Sequence, residues 1–291
     1  MQGRIVKGIA GFYYVYCDDG IIYECKAKGI FRKDKLKPMV GDMVELEILS
    51  RDERLGNISS LLTRKSELIR PAVANVDQAL IVFALTHPEP NYLLLDKLLL
   101  QFEIQDLPVI LCFNKEDLVE DEETLRVGQI YRNSGARVFF TCATSGQGID
   151  DLKEALRGRL SCVAGPSGVG KSSLINCLQE SVVAATGDIS AKAERGKHTT
   201  RHSEIIPIDR DTFIMDTPGF SSFDVVSVDA EEIGGYYREF IDHTDCRFQP
   251  CSHTHEPDCA VKKAVEEGLI SRERYINYTM IYKEIKNLRR Y

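Results

Sequence analysis

The sequence predicts an α/β fold flanked by two smaller domains, an N-terminal β-barrel and a C-terminal helical domain. Three observations carry that prediction. A short apolar run, Leu160 to Ala164, leads into the octapeptide Gly165-Pro166-Ser167-Gly168-Val169-Gly170-Lys171-Ser172 and then Ser173-Leu174-Ile175-Asn176, giving strand, glycine-rich turn and helix start in succession. Residues 3–62 read as short strands broken by turn residues, among them Met43–Ile48, which alternates apolar and polar residues with period two. Three cysteines and a histidine gather in one short stretch ahead of a helical tail.

The chain has 291 residues, more than the usual single domain, so two or three domains are expected. The pattern divides it at 1–65, 66–225 and 226–291. A net charge of −7 argues against a simple nucleic-acid coat protein. That charge is uneven, because residues 1–65 hold twelve Lys/Arg against nine Asp/Glu. No apolar run reaches bilayer-spanning length and Met1-Gln2-Gly3-Arg4 opens no signal peptide, so no membrane partner is expected. Nine cysteines, six of them scattered through apolar or mixed runs, suit a reducing, cytoplasmic setting.

From the start of the chain, Phe12–Tyr16 and Ile21–Cys25 flank Asp18-Asp19-Gly20, a hairpin-type turn. In Met43–Ile48 the residues Val44, Leu46 and Ile48 share one face, and Glu45 and Glu47 the other. About five such strands suit a small closed barrel of the OB type, a design that binds nucleic acid. Between the strands lie Lys26, Lys28, Arg32, Lys33, Lys35 and Lys37, opposed only by Asp34. Two readings of this run stay open: contact with an RNA or DNA backbone, or an ordinary solvated loop.

Thr63 to Asn75 reads as a linker, with Pro71 against a helix. The apolar run Ala79–Ala84 then suits a strand buried on both faces. Tyr92–Ile104 has leucines at helical spacing for the core, with Asp96, Lys97 and Gln101 as a polar side. A second buried strand, Pro108–Phe113, delivers Asn114-Lys115-Glu116-Asp117 at its carboxyl end. A carboxylate at Asp117 can accept from the N1 and exocyclic amino donors of guanine, whereas adenine presents the wrong donor pattern. Asn114 can address the O6/N7 side and the Lys115 stem can lie over the base. The strand Arg137–Phe140 follows a helix and precedes Thr141-Cys142-Ala143-Thr144-Ser145-Gly146, placed where GTPases carry a Ser-Ala loop that touches guanine. The helix Ile149–Leu156 leads on to the strand before the octapeptide.

That octapeptide has the pattern of a phosphate-binding P-loop. Its glycines let backbone N–H groups point at phosphate oxygens, and the helix N-terminus adds partial positive charge. Lys171 is expected on the β- and γ-phosphates and the Ser172 hydroxyl on Mg²⁺, with Gly165 to Ser173 forming the cradle. A polar stretch, Gly187 to Lys197, reads as a mobile loop ending in His198-Thr199-Thr200-Arg201, where Thr199 or Thr200 can reach Mg²⁺ and the γ-phosphate. The strand Thr212–Met215 then delivers Asp216-Thr217-Pro218-Gly219. Asp216 is expected to hold the metal through water, and the Gly219 N–H to sense the γ-phosphate.

GTPases mostly run P-loop, threonine loop, Asp-x-x-Gly, Asn-Lys-x-Asp and Ser-Ala. Here Asn-Lys-Glu-Asp and Cys-Ala come first, which is a circular permutation of one sheet. The segment after Gly219 is therefore tethered directly to the phosphate-sensing loop. It contains a helical stretch around Glu231–Ile241 and then Cys246-x4-Cys251-x-His253-x5-Cys259, fourteen residues offering a closed structural zinc site, with His255 as a spare ligand. The tail from Val261 to Tyr291 is helical in pattern, with eight Lys/Arg against four Asp/Glu, Lys283, Lys286, Arg289 and Arg290 lying close together. It faces RNA or is a solvated helix face.

Barrel, permuted GTPase motifs and Cys-x4-Cys-x-His-x5-Cys together resemble the ribosome small subunit-dependent GTPase A family, over essentially the whole chain. The resemblance implies a GTP hydrolase that binds the small ribosomal subunit and its rRNA late in assembly, is stimulated by it, and leaves after hydrolysis. It implies one structural Zn²⁺ on Cys246, Cys251, His253 and Cys259, and Mg²⁺ with GTP. The chain is expected to be a monomer. The family's nucleotide residues map onto Asn114, Lys115, Asp117, Gly165 to Ser172, Thr199 or Thr200, and Asp216 to Gly219, with Glu116 and Ser173 counted beside them in the nucleotide site; Cys142, with Ala143, departs from the usual serine and leaves that contact to backbone groups. Phe220 stands where many GTPases have a water-orienting glutamine, so slow intrinsic turnover is expected. His198 resembles the family's switch-loop histidine and is a candidate for that role; a solvated histidine in a mobile loop is the alternative. Two classes of function remain: an enzyme triggered by ribosomal RNA, or a GTP-gated binding module for another structured RNA.

Overall fold

The computed structural model describes residues 1–27, 37–68, 72–186, 204–216 and 228–288. Four of the basic-run residues, Lys28, Arg32, Lys33 and Lys35, lie outside them, as do Pro71, His198, Thr199, Thr200, Gly219, Phe220, Arg289 and Arg290. The chain forms two compact units, one drawn from Met1–Gln78, Lys153–Val163 and Leu174–Phe220, the other from Ala79–Leu152, Ala164–Ser173 and Ser221–Tyr291.

The N-terminal strands β1 (Gln2–Ile9), β2 (Phe12–Cys17), β3 (Ile22–Ala27), β4 (Met43–Ser50) and β5 (Leu55–Leu61) close into a barrel in the order β1-β2-β3-β5-β4. The hairpin expected at residues 18–20 is present: Gly20 takes a positive φ of 76° and its N–H donates to the Cys17 carbonyl at 2.9 Å. Period-two alternation sets the core. Val44 and Leu46 are buried with Ile5, Val15, Tyr23, Cys25 and Ile58, while Glu45 and Glu47 face out. Burying each large apolar side chain is worth about 1.5–3 kcal/mol, which is what a barrel this small depends on.

Described residues of the segment read as a linker have their own contacts. Arg64 clamps the fully buried Asp42 through Nε–Oδ1 at 2.7 Å and a second bond to Oδ2 at 2.9 Å. The two-residue strands β6 (Glu67–Leu68) and β7 (Val73–Ala74) pair, and buried Asn75 donates to the Gly41 carbonyl. The Arg64–Asp42 and Asn75–Gly41 bonds span 22 and 34 residues, and no periodicity announces them.

The larger sheet has the order β10-β9-β8-β11-β13-β12, formed by β8 (Gln78–Ala84), β9 (Val109–Asn114), β10 (Arg137–Thr141), β11 (Leu160–Ala164), β12 (Glu204–Pro207) and β13 (Phe213–Asp216). Strands β8 and β9 pair in parallel, as do β9 with β10 and β11 with β13; β12 is antiparallel at the edge. Every residue of β8, β9 and β11 is buried, which accounts for their continuous apolar runs. Helices α1 (Tyr92–Ile104), α2 (Asp121–Tyr131), α3 (Ile149–Leu156) and α4 (Lys171–Thr186) follow β8, β9, β10 and β11.

Beyond Val228 the expected helix at 231–241 is two 3₁₀ turns, Ala230–Tyr236 and Arg238–Phe240. Paired Gly234 and Gly235 remove the side chains that would stabilise an α-helix there. Helices α5 (Ala260–Glu266) and α6 (Arg272–Leu288) close the second unit. Their core joins Ile233, Tyr237, Phe240, Tyr278 and Ile281 to Leu100 of α1. The reading of Asp96 as part of a polar side is corrected here: it is fully buried, because Arg274 of α6 meets it at 2.6 Å and Asn277 at 2.7 Å. Arg274 also donates to Glu239 at 2.8 Å. Among the described residues no helix is long and apolar enough to cross a membrane.

Candidate nucleotide and metal sites

In open α/β sheets, ligands bind beyond the carboxyl ends of the strands where strand order reverses. Each motif lies at the carboxyl end of its own strand: Asn114 closes β9, Cys142 follows β10, Gly165 follows β11 and Asp216 closes β13. Asp216 is in register with Val163 of β11.

Asn114 gathers three of these segments. Its Nδ2 donates to the Val169 carbonyl of the glycine-rich loop at 3.0 Å. Its Oδ1 accepts from the Thr141 hydroxyl at 3.3 Å and from the Ala143 N–H at 3.2 Å. At only 2% exposed, the amide is committed to the protein more than a purely base-facing role requires. Lys115, at φ 65°, sends its ammonium to the Gly168 carbonyl at 3.0 Å and to the His87 carbonyl, so its stem runs along the loop. Glu116 accepts from Gln147 at 3.0 Å, and the Cys142 N–H donates to the Gln147 carbonyl at 3.0 Å, which ties the 142–147 turn to the 114–117 segment. Partial burial, with the charge of Asp121 second, pushes the Glu116 carboxyl up. Asp117 is exposed in the 3₁₀ turn Glu116–Leu118, and the buried Cys142 thiol lies 3.0 Å from the Thr144 hydroxyl.

The glycine-rich loop has the backbone its sequence demands. Gly165, Gly168 and Gly170 have φ of 135°, 83° and 94°. At two of them a side chain is also excluded by packing: a Cβ on Gly165 would strike the Val82 carbonyl, and one on Gly170 the Asn114 amide. The Lys171 ammonium donates to the Gly165 and Pro166 carbonyls at 2.8 and 2.6 Å, across the loop's concavity. Ser167, Ser172 and Ser173 are exposed, and the last two lie in the first turn of α4, the end of a helix that carries its partial positive charge. A glycine-rich loop leading into a helix N-terminus can take an anion, and the Ser172 hydroxyl is a hard oxygen of the type Mg²⁺ takes.

The Cys246, Cys251, His253 and Cys259 donor atoms all lie within 4.8 Å of one another. Cys246 Sγ is 3.8 Å from Cys259 Sγ and 3.6 Å from His253 Nδ1, which is 3.3 Å from Cys259 Sγ. Tetrahedral zinc with bonds of about 2.3 Å to sulfur and 2.0–2.1 Å to nitrogen spaces its ligands at about 3.8 and 3.5 Å. The donor set fits one zinc ion. His255 is exposed and is not among the four clustered donors. Supports for the loop were invisible in the sequence: Tyr278 donates to the Ser252 carbonyl at 2.7 Å and Tyr275 to the His253 carbonyl at 2.8 Å. Glu256 accepts from Ser252 and Thr254; against burial, which raises it, these bonds hold its carboxyl down at about 2.

These features define a circularly permuted P-loop GTPase fold with a barrel and a Cys₃His segment. The RsgA GTPase family model matches residues 61–226, and the RsgA N-terminal domain model residues 2–58. The small ribosomal subunit biogenesis GTPase RsgA of Agathobacter rectalis is 54% identical over 302 residues, covering 100% of both chains. Its namesake from Caldanaerobacter subterraneus subsp. tengcongensis is 48% identical, over 98% of this chain and 96% of that one. Among solved structures, YjeQ from Thermotoga maritima matches with a TM-score of 0.80 and 34% identity over 98% of each chain. YloQ, described as a circularly permuted GTPase, matches at 0.77 and 34% over 98% of this chain and 95% of that one. The chain belongs to the RsgA GTPase family.

Proposed function

We propose that this GTPase is a late assembly factor of the small ribosomal subunit, binding the subunit and its rRNA with GTP and leaving when GTP is hydrolysed. It is organised as a barrel (1–65), a GTPase domain (66–225) and a zinc-binding helical domain (226–291), and acts in the cytoplasm as a monomer. What supports this reading most is the meeting of the 114–117 segment, the Cys142-Ala143 turn and the glycine-rich loop on Asn114. Relatives matched over their full length are named for small-subunit biogenesis.

Asp117 selects guanine by accepting from its two adjacent donors, and Lys115 covers the base. Asn114 holds base loop and phosphate loop in one frame. The Gly165–Ser173 backbone cradles the phosphates, Lys171 neutralises the β- and γ-oxygens, and Ser172 is a Mg²⁺ ligand, with Thr199 or Thr200 and Asp216 as its other protein partners. Mg²⁺ supplies charge neutralisation at the phosphates. Gly219 senses the γ-phosphate, and His198 orients water because Phe220 cannot. Zinc on Cys246, Cys251, His253 and Cys259 is structural, since four protein donors leave no open position.

Sedimentation with purified small subunits tests the reading. Binding is expected to be about tenfold tighter with a non-hydrolysable GTP analogue than with GDP, about 1.4 kcal/mol of coupling. Equal affinities would contradict it.

A further inference from the structure

The outer face of the first three barrel strands carries a row of aromatic rings. Alternation along β2 turns Val15 and Cys17 into the core and leaves Phe12, Tyr14 and Tyr16 on the other face. Strand register sets neighbours on either side: Phe12 stands between Ile9 and Lys26, Tyr14 between Lys7 and Glu24, and Tyr16 between Arg4 and Ile22. The third rung is used within its own unit. The Tyr16 ring meets Phe213 edge-on at 5.5 Å, and the Arg4 guanidinium lies 4.9 Å over that same ring. Lys7 is likewise engaged, 3.1 Å from Glu204.

The first two rungs are different. Phe12 and Tyr14 are half-exposed and do not pack on the barrel core, and Ile9 is 41% exposed. The Lys26 ammonium sits 5.1 Å above the Phe12 ring, and the Tyr14 hydroxyl donates to Glu24 at 3.0 Å. Lys26 thus sets a positive charge against the Phe12 ring, while the Tyr14 hydroxyl is bonded to the acid Glu24.

We propose that Phe12 and Tyr14 form a stacking platform for two unstacked bases of single-stranded RNA, with Lys26 against the adjoining phosphate. The proposal rests on the RNA-binding reading above and assigns it to particular residues. Every base has a π face, so such a platform is sequence-tolerant. Alternate residues on a strand stand about 6.8 Å apart, which gives each ring its own base. A cation beside exposed rings fits a polyanion with planar faces; an acidic peptide brings no planar faces, and duplex RNA keeps its bases stacked inside.

The test uses the full chain and fluorescence anisotropy, with a labelled mixed-sequence single-stranded RNA of about ten nucleotides and the same RNA annealed to its complement. Phe12→Leu and Tyr14→Leu keep apolar bulk but remove the π face. Each is expected to weaken single-strand binding between about fivefold and a hundredfold and to leave duplex binding unchanged. Phe12→Tyr, which retains a ring, should restore it, and Lys26→Gln should flatten the salt slope by about 0.7. Unchanged thermal midpoints show that the barrel remains folded; a variant that melts early is replaced in the comparison by its methionine counterpart, Phe12→Met or Tyr14→Met, which also lacks a ring. Leucine variants that bind the single strand as the wild type does, or that lose duplex equally, overturn the platform, as does a wild type that binds no single strand. Wild-type sedimentation with small subunits runs in parallel. Its absence retires the ribosomal reading, whereas its presence with unaltered leucine variants retires the platform alone.

Discussion

Replacing Arg274 with methionine removes the only cation bonded to two buried acids among the described residues. Arg274 is 3% exposed, Asp96 0% and Glu239 8%. The guanidinium reaches them at 2.6 and 2.8 Å and stacks at 4.9 Å on Tyr237. Truncating one partner of a buried pair leaves uncompensated charge and costs about 3–5 kcal/mol. At about 2–4 °C per kcal/mol for 150–250 residues, the unfolding midpoint should fall by roughly 6–20 °C. The deficit should depend on pH with a definite sign. Burial already pushes Asp96 above its ordinary 3.8, and Arg274 opposes it. Without Arg274 the native state binds more protons than the unfolded state above that value. Stability is then lost as pH rises, so the gap to wild type is smallest near pH 4 and widens toward neutrality. Thermal unfolding of both proteins across this range is the assay. A control that replaces all three residues by Met or Leu should recover most of the loss. A deficit under about 1 kcal/mol, or one that shrinks as pH rises, would refute the reasoning.

The nucleotide pocket gives a contrast between neighbours. Asp117→Asn should move preference from GTP toward xanthosine triphosphate in a competition titration without lowering the unfolding midpoint, because Asp117 is exposed. Asn114→Ala should weaken GTP and also cost about 1–3 kcal/mol of stability, because the Val169 carbonyl and Ala143 N–H lose a buried partner. Cys246→Ser should lose one equivalent of zinc on metal analysis. Since α6 is held to α1 through Arg274 and Leu100, hydrogen exchange should rise in residues 241–259 while α6 stays protected.

The parts legible in the sequence are those where local backbone demands dictate residue type. The glycines at 165, 168 and 170 need positive φ, β8, β9 and β11 are buried on both faces, and β4 alternates; each leaves a pattern within a few residues. What escaped reading is carried by single polar side chains across long separations. Asp96 and Arg274 are 178 residues apart, and a lone aspartate on a leucine-rich helix is indistinguishable from a solvated one until its partner is known. Arg64 hides in the same way, in a stretch whose composition suggests a linker, while its partner Asp42 stands 22 residues earlier. Asn114 was readable as a base contact from its motif, but its work as a brace between Val169 and Ala143 depends on where two other strands end. The 3₁₀ turns at 230–240 follow from a glycine pair whose effect a helical reading of the surrounding residues underweights.

In the proposed function, the small subunit stimulates GTP hydrolysis. The most direct measurement is the steady-state GTP turnover of the full chain alone, with purified small subunits, and with purified large subunits. Slow turnover alone, a rise of at least about tenfold with small subunits and none with large ones is the predicted result. Turnover that is the same in all three, or that rises equally with either subunit, would contradict the account.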